Sequence, residues 1–152
     1  MSSDATAQLR PAIAADRIAR AALRHALWPE ATAEEHFADL AVETTDPDSA
    51  VAFVTILDDV VVGFAEATIR NDYVNGCDSS PVAFLEGVYV IPAARHRGLA
   101  RALCAAVEAW ARDRGLSELA SDGELANADA YAFHKATGFE ETERVIFYRK
   151  RL

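Results

Sequence analysis

One stretch constrains the fold more than any other: Leu85-Glu86-Gly87-Val88-Tyr89-Val90-Ile91-Pro92-Ala93-Ala94-Arg95-His96-Arg97-Gly98-Leu99-Ala100. It is an apolar strand, a sharp turn at Pro92, a short basic segment and a glycine at the mouth of a helix. The helix, expected over 97–114, puts Leu99, Leu103, Val107, Trp110 and Ala111 on one side at helical spacing. A helix start offers unpaired backbone N–H groups and the positive end of a dipole. Gly98 lets the main chain approach a ligand closely, and Arg95 and Arg97 add charge. Together they describe a cradle for a diphosphate.

The rest of the chain arranges itself around that unit. Residues 7–11 read as a short edge strand ending at Pro11. Asp16 caps a helix over 17–27 that Trp28-Pro29 stops, and Thr32 caps a second through about Glu43. Residues 51–57 and 60–69 are β-branched runs joined by Asp58-Asp59, a hairpin pattern. A polar insertion over 71–81 precedes a strand over 82–91 that is apolar on both faces, as expected at a sheet centre. After the helix closed by Gly115 come a short strand at 116–121, a helix over 126–137 closed by Gly138, and a last strand at 139–149. The order β-α-α-β-β-β-α-β-α-β predicts one α/β domain over 1–152, a mixed sheet whose middle two strands run parallel across the helix after Arg97.

Composition narrows the function classes. The net charge of −9 argues against nucleic acid as a partner and suits a cationic substrate. No apolar run reaches the ~18 residues of a membrane span, and the polar residues 1–4 are unlike a secretory leader. Cys77 and Cys104 have no metal-ligand spacing, so the expectation is a reduced, cytoplasmic protein without a metal. Cys104 falls on the apolar side of its helix and Cys77 has no histidine partner in its loop, so neither is expected to act as a nucleophile.

Val90-Ile91-Pro92 followed by Arg95-His96-Arg97-Gly98-Leu99-Ala100 resembles the acetyl-coenzyme A motif of the GCN5-related N-acetyltransferases. Asn127 through Gly138-Phe139 resembles the motif that follows, and the likeness runs nearly the length of the chain. It implies that the two central parallel strands splay apart near their C-terminal ends. The pantetheine arm of acetyl-coenzyme A, the cosubstrate, would fill the gap and bond to the main chain of Val88 and Val90. The pyrophosphate would rest on the amides of Arg97, Gly98, Leu99, Ala100 and Arg101 beside Arg95, and Asn127 would hold the pantetheine or cysteamine segment.

A narrower resemblance concerns the acceptor. Leu27-Trp28-Pro29, the loop from Asp72-Tyr73 to Pro81, Phe84-Leu85-Glu86-Gly87, Ala120-Ser121-Asp122 and the run from Gly138 to Lys150 are similar to the aminoglycoside 6′-N-acetyltransferases. That subgroup implies transfer of acetyl to the 6′-amine of an aminoglycoside antibiotic, hence resistance, by a homodimer. A flat, hydroxylated polycation needs carboxylates and aromatic faces; Glu86, Asp122, Asp72 and Glu143 supply the first, Trp28 and Tyr73 the second. Glu86 is the expected base for the acceptor ammonium and Asp122 its orienting partner, with a Val88 or Val90 amide on the oxyanion. Many relatives carry a tyrosine four residues before the Gly-Phe pair. Here His134 stands there, expected as a cofactor contact or a structural histidine, with Tyr131 one turn earlier. A different amine acceptor (polyamine, amino acid or protein N-terminus) on the same fold, or a non-catalytic acyl-coenzyme A sensor, are the rival readings.

Overall fold

The computed structural model describes residues 6–152; residues 1–4, read above for a leader, lie outside the described residues. Five strands form one sheet: β1 (Gln8–Pro11), β2 (Ala50–Leu57), β3 (Val60–Arg70), β4 (Val82–Val90) and β5 (Leu119–Ser121), in that spatial order. The first three pairings are antiparallel and β4–β5 is parallel. Helices α1 (Arg17–Leu27), α2 (Ala33–Val42), α3 (Leu99–Asp113) and α4 (Ala128–Ala136) complete the fold.

Local chemistry sets the element ends. Asp58 and Asp59 both take left-handed φ values (47° and 63°), the backbone of a two-residue hairpin whose twist matches its strands. At α2, the Thr32 hydroxyl accepts from the Glu35 N–H while the Glu35 carboxylate accepts from the Thr32 N–H, a complete capping box. Ahead of α1, Asp16 accepts from the Ile13 N–H (2.8 Å) and from the Arg10 guanidinium (2.7 and 3.0 Å).

The sheet is covered on both faces. On one, Leu103, Cys104, Val107 and Trp110 of α3 pack on Ala65, Ala67, Ala83 and Leu85. On the other, Leu23, Leu27 and Trp28 pack on Val54, Phe64 and Tyr89. β4 is thus central, which explains its apolar run on both faces.

Two irregularities position the site. β5 pairs with β4 only at Ala83↔Leu119, Phe84↔Ala120 and Leu85↔Ser121, after which the parallel strands part. On the opposite edge of β4, Glu66 faces Gly87 and Ala67 faces Leu85. Glu86 is therefore an extra residue, a bulge that bends the strand and breaks its ladder where the gap opens.

Three expectations need correction. The helix after the basic turn begins at Leu99 rather than Arg97, because Gly98 (φ 75°) lies outside the helical range and serves as its N-cap. β5 is half the length expected. Residues 139–152 form no strand: Val145, Ile146, Phe147 and Tyr148 are 52, 77, 91 and 89 % exposed. The residues have strand character, but a strand exists only beside another, and this chain places none next to them.

Candidate active site

β4 carries the site along its length. At its C-terminal end the chain passes Pro92 and enters the basic turn. His96 (φ 63°) and Gly98 both adopt left-handed backbone. Glycine takes that conformation freely, and a Cβ at Gly98 would meet nothing within 4 Å, so the space before the helix is open. The first intrahelical bond runs from the Ala102 N–H to the Gly98 carbonyl (3.0 Å). That leaves the amides of Leu99, Ala100 and Arg101 facing outward, the donor set expected of a pyrophosphate cradle. Arg97 is exposed beside it.

The gap between β4 and β5 shows which backbone groups face it. The Ile91 N–H donates to Val62 in β3, whereas the Val90 carbonyl points the other way and accepts from Arg95 Nε (2.9 Å). Val88 shares that side by strand periodicity. Both valines named from the sequence thus present main chain toward the open gap. Arg95 spends its guanidinium there and over the Tyr89 ring, 5.4 Å from its centroid. Arg101 donates to the Ala136 carbonyl (2.7 Å), tying the start of α3 to the end of α4.

Glu86 and Asp122 follow the last paired positions of β4 and β5, so both residues stand where the gap opens. Asp122 is exposed. Glu86 is held from β3: Thr68 Oγ1 donates to Oε1 at 2.7 Å, and Arg70 donates to Oε1 from Nε (3.3 Å) and Nη2 (3.0 Å) and to Oε2 from Nη2 (3.0 Å). Arg70 also lies over the Phe84 ring, 3.6 Å from its centroid. Trp28 closes one wall. A Cβ at Gly87 would sit 2.5–2.6 Å from its indole carbons, so the glycine is what lets the ring lie against the strand.

Thr68 and Arg70 escaped the sequence reading, although Glu66-Ala67-Thr68-Ile69-Arg70 alternates polar and apolar, a stripe along one strand face. Glu66, on the same face, is 7 % exposed and binds Arg20 (2.9 Å) and Arg24 (2.8 Å) of α1. Arg24 also pairs with Glu43.

Two other predicted residues have structural work. Asn127 caps α4, its Oδ1 accepting from the Ala130 N–H (3.0 Å), so only its amide NH2 remains for a ligand. His134 bonds the Ala130 carbonyl through Nδ1 (2.6 Å) and Ser121 Oγ through Nε2 (2.8 Å). The carbonyl requires a proton on Nδ1, while the Ser121 hydroxyl that meets Nε2 also reaches the Leu85 carbonyl (3.3 Å). Both nitrogens are occupied, which favours the structural role.

Asp72 and Tyr73 lie in the loop that leads into β4, and Glu143 stands near it. The loop over 71–81 joins β3 to β4 at the end remote from Gly98 and is stapled to Glu118, which accepts from the Asp78 N–H (2.9 Å) and the Ser79 N–H (2.6 Å). These bonds, led by those from Ser79, hold the Glu118 carboxyl below its usual pKa. Thr142 lies against Gly76, so Glu143 stands beside that loop. Asp72, Tyr73 and Glu143 are exposed. Burial, helped by Glu118 and Asp78, raises the Cys77 thiol; burial pushes Cys104 up to about 11. Neither favours a thiolate. Among the described residues, no three His, Cys, Asp or Glu side chains gather as a metal site, and no helix is long and apolar enough to cross a membrane.

A parallel pair of strands parted at a bulge, with an open cradle of amides at a helix start beyond it, defines an acyl-coenzyme A-dependent acetyltransferase. The sequence profile of the Acetyltransferase (GNAT) family matches residues 19–139, and the chain belongs to that family and, within it, to the aminoglycoside 6′-N-acetyltransferases. It is 52 % identical over 129 residues to aminoglycoside N(6′)-acetyltransferase type 1 of Salmonella typhimurium, covering 85 % of this chain and 88 % of that one. The counterpart from Stenotrophomonas maltophilia is 49 % identical over 144 residues, covering 95 % and 93 %. Among solved structures, aminoglycoside N-acetyltransferase AAC(6′)-Iy in complex with CoA superposes with a TM-score of 0.90 at 44 % identity, over 100 % of this chain and 99 % of that one. The same enzyme with a bisubstrate analogue, CoA-S-monomethyl-acetylneamine, gives 0.87 at 45 % identity, over 97 % and 99 %.

Proposed function

We propose that this chain moves the acetyl group of acetyl-coenzyme A to the 6′-amine of aminoglycosides by direct attack within a ternary complex, and so confers resistance in the cytoplasm. The observation that carries the reading is the β4–β5 gap itself. It has outward backbone at Val88 and Val90, free amides at Leu99, Ala100 and Arg101, and Glu86 and Asp122 at its mouth. The pantetheine arm fills the gap as an added strand, which satisfies main chain that would otherwise lack partners. The thioester carbonyl then lies against β4, where a Val88 or Val90 amide stabilises the tetrahedral oxyanion.

The acceptor arrives as an ammonium, with a pKa near ~10.4 if lysine-like, and must lose a proton before it attacks. Glu86 takes that proton through a water; Asp122 holds the nitrogen, and Trp28 packs against the sugar. The nitrogen bonds to the carbonyl carbon, the intermediate collapses, and the thiolate leaves. A thiolate near pKa ~8.5 departs without an obligatory acid, consistent with His134 being tied up in the fold. Asp72, Tyr73 and Glu143 serve the acceptor's outer rings. The raised thiols of Cys77 and Cys104 disfavour an acetyl-cysteine route, so Cys77→Ala keeps acetyl transfer within about twofold of the parent.

A homodimer accounts for the C-terminal segment. At Thr142 it lies against Gly76 of the loop before β4, and Val145 to Tyr148, which follow, are apolar and uncovered. A second copy is the natural cover for that surface. The test of the main reading is a kinetic panel. Kanamycin and tobramycin are acetylated, an analogue lacking the 6′-amine is not, and spermine and peptides are not. Turnover of spermine or peptides in preference to the antibiotics overturns the acceptor assignment. Acetyl-coenzyme A binding without turnover of any amine makes the protein a sensor.

A further inference from the structure

We propose that Arg70 is a positioning residue for the transfer: from the neighbouring strand it fixes which oxygen of Glu86 works. The inference rests on the reading of Glu86 as the proton acceptor. Glu86 occupies a bulge, so the strand ladder does not restrain it, and a glutamate with three rotatable bonds must be oriented by its partners. Those partners are unequal. Oε1 receives Thr68 Oγ1 and two nitrogens of Arg70, whereas Oε2 receives Arg70 Nη2 alone. A carboxylate oxygen has about two lone-pair directions, so Oε1 is saturated and Oε2 is left with capacity for a water or an ammonium. Oε1 is the anchor and Oε2 the working atom. The proton lost by the acceptor nitrogen ends there and is released with product, with no further reactant needed.

Arg70 is itself aimed by its stacking on Phe84, and its planar fork suits this grip in a way a lysine does not. The pair is half-open, with side-chain exposures of 44 % and 30 %, so its contribution to stability is small and its effect is on orientation. The other charged or titratable groups on this face stay constant in the comparison below. They are Glu66, Arg20, Arg24 and Glu43, which pair with one another, His36, bonded to the Trp28 carbonyl (3.1 Å), and Asp122 across the gap.

The test compares Arg70→Gln, Arg70→Lys, Thr68→Val and Glu86→Gln in the full chain, with acetyl-coenzyme A and kanamycin as substrates and thermal melts alongside. Arg70→Gln removes the planar fork that aims the carboxylate. Its kcat falls on the order of tenfold, and KM for acetyl-coenzyme A is unchanged. Arg70→Lys also loses kcat, because charge remains and orientation does not. Thr68→Val loses kcat by a smaller factor. An Arg70→Gln or Arg70→Lys enzyme with the parent's kcat overturns the proposal, as does one in which only melting temperature or KM for acetyl-coenzyme A changes. If Glu86→Gln itself retains full kcat, the fault lies with the reading of Glu86; if it loses rate while Arg70→Gln does not, the fault lies with Arg70 alone.

Discussion

Glu66 and Glu86 sit one strand apart on the same face of the same hairpin, both within apolar runs and both gripped by arginine, yet they do different work. Glu66 is closed off: two arginines of α1 reach it from above, and its side chain is 9 % exposed. Its lone pairs are spent on joining helix to sheet. Glu86 has one arginine from the adjacent strand, a side chain 30 % exposed and one oxygen with spare capacity, at the point where the sheet opens. A carboxylate whose partners saturate it is a joint; one whose partners aim it and leave an oxygen free can do chemistry. Burial alone would have selected Glu66.

The comparison breaks most sharply at Glu66. Glu66→Ala leaves Arg20 and Arg24 buried with only the half-exposed Glu43 for a partner. Stability should fall by about 3–5 kcal/mol, read by denaturant melts, with residual activity following the folded fraction. Glu86→Gln should do the opposite. We expect kcat to fall about 100-fold, equivalent to about 2.7 kcal/mol of barrier, while the melting temperature stays within about 2 °C of the parent. Should Glu86→Gln unfold the protein and Glu66→Ala abolish kcat in a folded one, the roles are reversed.

Smaller effects sharpen the contrast. Gly87→Ala forces a methyl into the Trp28 ring and should cost about 1–3 kcal/mol while raising KM for the acceptor more than for acetyl-coenzyme A. Arg10–Asp16 is a third pair of the same chemistry at the sheet edge, a joint like Glu66. The Arg10 guanidinium, with the Ile13 amide, holds the Asp16 carboxyl below its usual pKa. A folded-state pKa below the unfolded one contributes stability above about pH 4 that is lost as pH falls through the folded value. Asp16→Asn should therefore lose about 1–2 kcal/mol at neutral pH, and melts between pH 3 and 7 should show a flatter acid side than the parent.

Much of this was legible before any coordinates. The central strand, the cap at Thr32 and the glycine turn before α3 follow from local signals: apolar periodicity, a hydroxyl ahead of a helix, a glycine needing positive φ. Thr68 and Arg70 were readable as a polar stripe on β3, but nothing in the chain said that the stripe faces Glu86. That depends on register, and the bulge sets the register. Asp72, Tyr73 and Glu143 were grouped with the acceptor by resemblance and by their chemistry; the fold places them in or beside the loop that leads into β4.

What the residues determined alone is therefore what short-range physics controls: element type, helix ends, the anion-binding turn and the two-faced burial of β4. Tertiary structure decided which carboxylate is closed and which is open, how far β5 follows β4, and that Val145 to Tyr148 stay uncovered within one chain. Each of those depends on a partner distant in sequence, and the free energy of a strand edge, a buried charge or an apolar segment is set by what lies beside it.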